Sequence, residues 1–248
     1  KITGMLAQDQ EALPETDVSL PADWQTLRWE NLSWHYPQSG FSVGPVSARL
    51  NRGEIVFIIG ANGSGKSTLS QMLTGLYASA GAGVWLDDQP LNTAELKSLF
   101  SVVFTRPYLF KTVFVTPESG DEALAELWLE KLGLQGKVSI ENNQLSTLDL
   151  SQGQQKRVAL LLALAARRDI LFLDEWAAEQ DPQFRRYFYR ELLPWFRAQG
   201  KTLMIISHDD DYFDVADRVL EMHQGQLREL TAEQRDNASR DVISQLGR

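Results

Sequence analysis

At 248 residues the chain has room for one large domain or a core with an inserted lobe, and its 43% hydrophobic content suits a globular protein. It has no cysteine, which excludes a disulfide framework and thiol chemistry, and 33 acidic against 24 basic residues leave a net charge of −9. That balance argues against a nucleic-acid partner, and the longest apolar run, Val158–Ala166, is far too short to span a membrane.

In chain order, residues 1–23 are polar, carry Pro14 and Pro21, and read as a linker. LRWENLSWHY and FSVGPVSARL are β-rich segments separated by a Pro-Gln-Ser-Gly turn. Ile55–Ile59 is a short apolar run ending at Gly60, the pattern of a buried strand. A helix is expected from Lys66 to about Leu76, then a hairpin at VWLDDQPL and a buried strand at LFSVVF. Residues 106–168 read as mostly helical, with DEALAELWLEKLGL the clearest amphipathic stretch. ILFLDE and TLMIISHD are two further buried strands flanking a helix rich in aromatic and arginine residues. A last hairpin, RVLEMHQGQLREL, precedes a polar tail over 231–248. Apolar strands alternating with helices predict a parallel α/β core, interrupted by a helical insertion at about 106–163.

The chemistry begins at GANGSGKST. Gly60, Gly65, Lys66 and Ser67 satisfy G-x-x-x-x-G-K-[ST] between a strand and a helix, as a phosphate-binding loop requires. The glycines let backbone N–H groups approach phosphate oxygens, Lys66 brings a positive charge to the β- and γ-phosphates, and the Ser67 hydroxyl can ligate Mg²⁺. Asp174 and Glu175 end an apolar strand, which sets two carboxylates at the C-terminal edge of a parallel sheet, where such folds bind ligands. Asp174 would reach the Mg²⁺ shell and Glu175 could polarise an attacking water; taken alone, the pair also reads as a strand end meeting solvent. His208 closes another apolar strand and reaches the same edge, where an imidazole can hold a phosphate or a water in register; alone, it reads equally as a surface histidine. LSQGQ, ahead of a long apolar helix-favouring run, reads on its own residues as a Ser-capped helix start.

Together, the phosphate loop, LSQGQ, LFLDE, Asp181 and His208 resemble, in order and spacing, the ATP-binding cassette (ABC) ATPases over about residues 24–230. The resemblance implies an α/β fold: a P-loop NTPase (RecA-like) core with an antiparallel β subdomain and an inserted α-helical subdomain. It implies ATP and Mg²⁺ as cofactors, with ATP contacted by Gly60, Asn62, Gly63, Gly65, Lys66, Ser67 and Thr68, and Mg²⁺ by Ser67 and Asp174. Glu175 and His208 would be catalytic, and Tyr36 would stack on adenine. Ser151, Gly153 and Gln154 would serve the ATP held by a second copy of the chain, packed head to tail, and Asp181 would link the two sites. Two positions depart from the family pattern. Gln152 replaces the first of two signature glycines, and Thr105 stands where the family has a glutamine ligand of Mg²⁺ and water.

VGPVSARLNRGE, VVFTRPYLF, LSQGQQKRVALLLALA and LDEWAAEQDPQFRRYFY resemble more narrowly the bacterial exporters of cyclic peptides and peptide siderophores, the pyoverdine, syringomycin and lasso-microcin group. That resemblance implies an N-terminal transmembrane domain in the same polypeptide, ahead of Lys1, and a place on the cytoplasmic face of the inner membrane. Its cargo would be a cyclic peptide or peptide siderophore. A stand-alone ATPase subunit of another ABC transporter would share every motif. A soluble, non-transport ABC ATPase fits less well, because one cassette, no sustained heptads and a net negative charge do not match that class.

Overall fold

The structure, a computed structural model, describes residues 20–79, 81–113 and 121–235. Most of the expected linker and tail therefore lie outside the described residues, and no described helix is long and apolar enough to cross a membrane.

Strands β1 (Thr26–His35) and β2 (Ser42–Asn51) pair antiparallel, as the intervening turn predicts, and β4 (Gly83–Leu86) and β5 (Gln89–Pro90) extend them in the order β2-β1-β4-β5. The second sheet contains β3 (Ile55–Ile59), β6 (Phe100–Val103), β9 (Ile170–Asp174), β10 (Thr202–Ile206), β11 (Arg218–His223) and β12 (Gln226–Glu229). Its order is β12-β11-β3-β10-β9-β6, parallel except for the β11–β12 hairpin. The strand-helix alternation read from the sequence is this sheet.

Successive residues of a strand face opposite ways, and here both faces are covered. Ile55, Phe57, Leu171, Leu173, Leu203 and Ile205 join one apolar core, while Val56, Ile58, Ile170, Phe172, Met204 and Ile206 join another. The first core is closed by α4 (Gln152–Ala165) and by the helical run α5 (Pro182–Tyr187), a π turn (Phe188–Leu192) and α6 (Leu193–Ala198). The second is closed by the antiparallel sheet with α1 (Lys66–Leu73) and α2 (Thr93–Leu99).

Residues 106–168 are less helical than expected. Their described helices are α3 (Asp121–Lys131) and α4, and between them runs a hairpin of β7 (Ile140–Glu141) and β8 (Gln144–Leu145). Asn142 and Asn143 join its strands with φ of 50° and 59°, the left-handed pair that a two-residue hairpin needs. Helix α2 was not anticipated either; it takes the first residue of the expected LFSVVF strand, so the strand begins at Phe100.

Candidate functional site

The parallel strands β3, β9 and β10 deliver their C-terminal ends to one edge of the sheet, which gathers Gly60–Lys66, Asp174–Glu175 and His208. After β3 the chain must turn sharply into α1, and glycine makes this possible. Gly60 has φ 145°, and a Cβ there would lie 2.3 Å from the Met222 carbonyl oxygen. Gly65 caps α1 at φ 106°.

Lys66 folds back over the loop, with Nζ donating to the carbonyls of Gly60 (2.7 Å) and Ala61 (3.1 Å). Burial lowers its pKa, and the charges of Glu175 and Asp174 oppose that shift. Both carboxylates therefore lie within electrostatic reach of the ammonium. Asn62, Gly63 and Ser67 are exposed, and Thr68 is buried in the first turn of α1. The Asp174 carboxyl is pushed above the usual range, mainly by burial and further by Glu175, against the opposing effects of Thr105, Lys156 and Lys66.

Glu175 has φ 49° and donates its N–H to the Ile206 carbonyl at 3.0 Å. Its Oε1 lies 3.0 Å from Nε2 of His208, so the two groups joined only by position in the sequence are in contact here. The Tyr36 hydroxyl lies 3.1 Å from Thr68 Oγ1, which places the expected adenine partner beside the phosphate loop. Its ring meets Trp34 edge-on, and Trp34 stacks on Tyr77 with centroids 4.2 Å apart.

Ser151 caps α4. Its Oγ accepts the Gln154 N–H (3.4 Å), and Gln154 Oε1 accepts the Ser151 N–H (3.0 Å). Both residues, with Gly153, line a cleft of about 490 Å³ with Arg157 and Asp181, and none of its lining residues belongs to the phosphate loop. Asp181 caps α5 by accepting the Phe184 N–H at 2.9 Å, and Arg157 donates to it at 3.1 Å. These bonds hold its carboxyl below the usual range, the Phe184 N–H contributing most. Gln180 ties the same corner, donating to the Gly153 carbonyl and accepting from Arg157 Nε. A methyl group on Gly153 would come within 3.2 Å of the Glu179 carbonyl oxygen, so there is little room for a side chain at the second signature position.

Thr105 Oγ1 donates to the Asp174 carbonyl oxygen at 3.4 Å. Strand β6 and the segment that follows it line an apolar cleft of about 540 Å³ that includes Tyr108 and Phe110, both exposed. Lys156 is a site neighbour that the sequence reading missed, and its Nζ donates to the Glu175 carbonyl at 2.9 Å. The signal was available: Lys156 lies one and two turns ahead of Leu160 and Leu164, both buried, so helical period puts it on the buried face.

These groups fit a magnesium nucleotide. Magnesium is commonly held by one or two carboxylates together with substrate phosphates, and no group of three or more potential metal-ligating His, Cys, Asp or Glu residues occurs among the described residues. Ser67, Asp174 and the lysine-bearing loop supply a donor set of that kind.

Comparison with known proteins agrees. The ABC transporter family model matches residues 43–178, more than half of the chain. ATP-binding protein SyrD of Pseudomonas syringae pv. syringae is 42% identical over 212 residues, 82% of this chain and 38% of SyrD, so the chain spans well under half of that relative. The energy-coupling factor transporter ATP-binding protein EcfA1 of Streptococcus pneumoniae is 30% identical over 233 residues, covering 88% of this chain and 84% of EcfA1. Among solved structures, cbiO1 of Clostridium perfringens, part of the ABC transporter complex cbiONQ, superposes with a TM-score of 0.71 at 26% identity, covering 90% of this chain and 95% of its own. The chain belongs to the ABC transporter family and is one of its ATP-hydrolysing domains, working on ATP with Mg²⁺.

Proposed function

We propose that the chain powers a bacterial inner-membrane exporter of a cyclic peptide or peptide siderophore from its cytoplasmic face. In this reading it acts with a transmembrane domain of the same polypeptide and with a second copy of itself. The contact between Glu175 and His208, at the sheet edge that also carries Lys66 and Asp174, is the observation that carries the enzymatic part.

Gly60, Asn62, Gly63, Gly65 and Thr68 surround the phosphates with backbone and hydroxyl donors, Lys66 meets the β- and γ-phosphates, and Tyr36 packs on the adenine. Ser67 and Asp174 would hold Mg²⁺, which when bound neutralises charge on the transferred phosphoryl group. Glu175 accepts a proton from the attacking water as the new P–O bond forms and the bond to ADP breaks. His208 holds the Glu175 carboxylate in register. Ser151, Gly153 and Gln154 present a helix N-terminus to the nucleotide of the second copy, with Asp181 between the two sites. The exposed Tyr108 and Phe110 supply apolar surface for the transmembrane domain.

The exporter reading is supported by the sequence resemblance and by 42% identity to SyrD, against 30% to EcfA1. A second reading, a separate ATPase subunit of another transporter type, is favoured by EcfA1, of which the alignment covers 84%. Transport by the whole assembly decides between them: inverted membrane vesicles should take up a labelled cyclic peptide siderophore when given ATP. Vesicles that ignore such peptides would sink the exporter reading. For the site, Lys66→Ala should lose most ATP affinity, about tenfold or more, because it deletes the cation at the β- and γ-phosphates. Glu175→Gln should bind ATP normally and lose turnover by about a hundredfold or more. Hydrolysis at the parent rate in Glu175→Gln would remove it as the base.

A further inference from the structure

Among the described residues Lys156 is the most deeply buried charged side chain, only 1% exposed. Its Nζ lies 2.9 Å from the Glu175 carbonyl oxygen and 3.5 Å from Glu179 Oε2, and its own carbonyl accepts the Trp176 indole N–H at 2.7 Å. Withdrawing an ammonium from water is costly unless it is paired and hydrogen-bonded, and an apolar residue would match the neighbours on this face of α4. What the ammonium holds is specific. Glu175 sits in the left-handed region at φ 49°, which a residue with a side chain seldom adopts unless its surroundings enforce it. Its N–H is fixed to β10 through Ile206, and its C=O accepts from Lys156 of α4 at 2.9 Å and, at 3.3 Å, from the Ala178 N–H. With both ends of the residue held, the side chain leaves the sheet in one direction, toward His208.

We propose that Lys156 is a positioning residue for Glu175, fixing through the backbone carbonyl the direction of the carboxylate that activates water. This rests on the reading of Glu175 as the base. It also gives the signature helix a hold on the backbone of the residue that carries the hydrolytic carboxylate. Thr105, where the family has its glutamine, is placed at Asp174, donating to its backbone carbonyl and acting on its carboxyl.

The test uses the 248-residue chain with Lys156→Met, Lys156→Gln and Glu175→Gln, read by ATP hydrolysis, binding of a non-hydrolysable Mg-ATP analogue and thermal melting. Folded Lys156→Met should keep its Kd within about twofold of the parent while kcat falls about 10- to 100-fold. Lys156→Gln keeps an N–H donor for the carbonyl without the charge, and should retain about a third or more of the parent kcat. Parent-like kcat in Lys156→Met overturns the proposal, and so does an equal loss of affinity and turnover in that variant while folded. A Lys156→Gln as slow as Lys156→Met also overturns it, because the charge and not the hydrogen bond would then be what matters. Should Lys156→Met fail to fold, Lys156→Gln decides alone: at unchanged Kd, kcat above about a third of the parent supports the proposal and kcat below it overturns it. Glu175→Gln separates the two possible failures. Parent-rate hydrolysis there removes the reading of Glu175 as base, whereas its loss beside a parent-like Lys156→Met removes only the role of Lys156.

Discussion

Asp181 does two jobs inside its own chain, capping α5 and pairing with Arg157, whose guanidinium also lies 3.4 Å from the centroid of the Phe184 ring. Its folded pKa is depressed below the ordinary 3.8 by the Phe184 N–H first and Arg157 after. A depressed carboxylate adds stability that is fully present above the unfolded pKa and disappears as pH falls through the folded one. Asp181→Asn keeps an oxygen to cap the helix and loses the charge. Its melting temperature should therefore lie below the parent's at neutral pH, and the gap should shrink as pH drops below 3.8. A gap independent of pH from 2.5 to 7 would show that the charge of Asp181 contributes nothing here. At this scale the motifs named residues that the fold brings to one sheet edge, such as Lys66 and Asp174. The sequence was silent where a contact depends on distant backbone: Lys156 meets Glu175 only because α4 packs against the end of β9.

Helix boundaries follow from caps, and two caps here are comparable. Asn92 and Glu95 form a reciprocal capping box on α2, and Ser151 and Gln154 form one on α4. The first pattern, Asn-Thr-Ala-Glu ahead of Leu96 and Leu99, is legible in the sequence as a helix start, although the helix it opens is only seven residues long. The Asn142-Asn143 turn was legible too, as a hairpin signal hidden in a segment read by its apolar content. The π turn at Phe188–Leu192 was not. Pro194 has no N–H to return to the Arg190 carbonyl, so the α-helical ladder cannot run through it unbroken, but nothing in the residue pattern says where the wider turn will form. Caps give a prediction at this scale. Asn92→Ala should cost about 1 kcal/mol of unfolding free energy in the nucleotide-free chain, and Ser151→Ala a similar amount. Only Ser151→Ala should also slow hydrolysis, since Ser151 and not Asn92 is proposed to face a nucleotide. Chemical denaturation beside ATPase assays checks this, and equal kinetic effects of the two substitutions would count against the role of Ser151.

At the scale of the molecule, the cleft at Ser151 and the loop at Lys66 are separate places on one chain. If Ser151 serves the nucleotide of a second copy, each complete site takes Lys66 from one chain and Ser151 from the other. Lys66→Ala and Ser151→Arg should each be folded and inactive. Mixed, they form a heterodimer with one site carrying both defects and one carrying neither, and ATPase activity should return, provided that one intact site can turn over. No recovery at concentrations where the two variants associate would argue that the site is complete within one chain. The chain has a net charge of −9, so two copies repel at long range unless something bridges them. The ATP γ-phosphate, held by Lys66 on one side and by the α4 N-terminus on the other, is that bridge in the proposed sandwich. Without nucleotide the chain should therefore elute as a monomer. Glu175→Gln, which binds ATP and does not remove the bridge, should elute as a dimer at saturating Mg-ATP. A monomer in that experiment would count heavily against the sandwich, and a tight dimer without nucleotide would show that apolar or polar contacts, not the γ-phosphates, hold the two copies together.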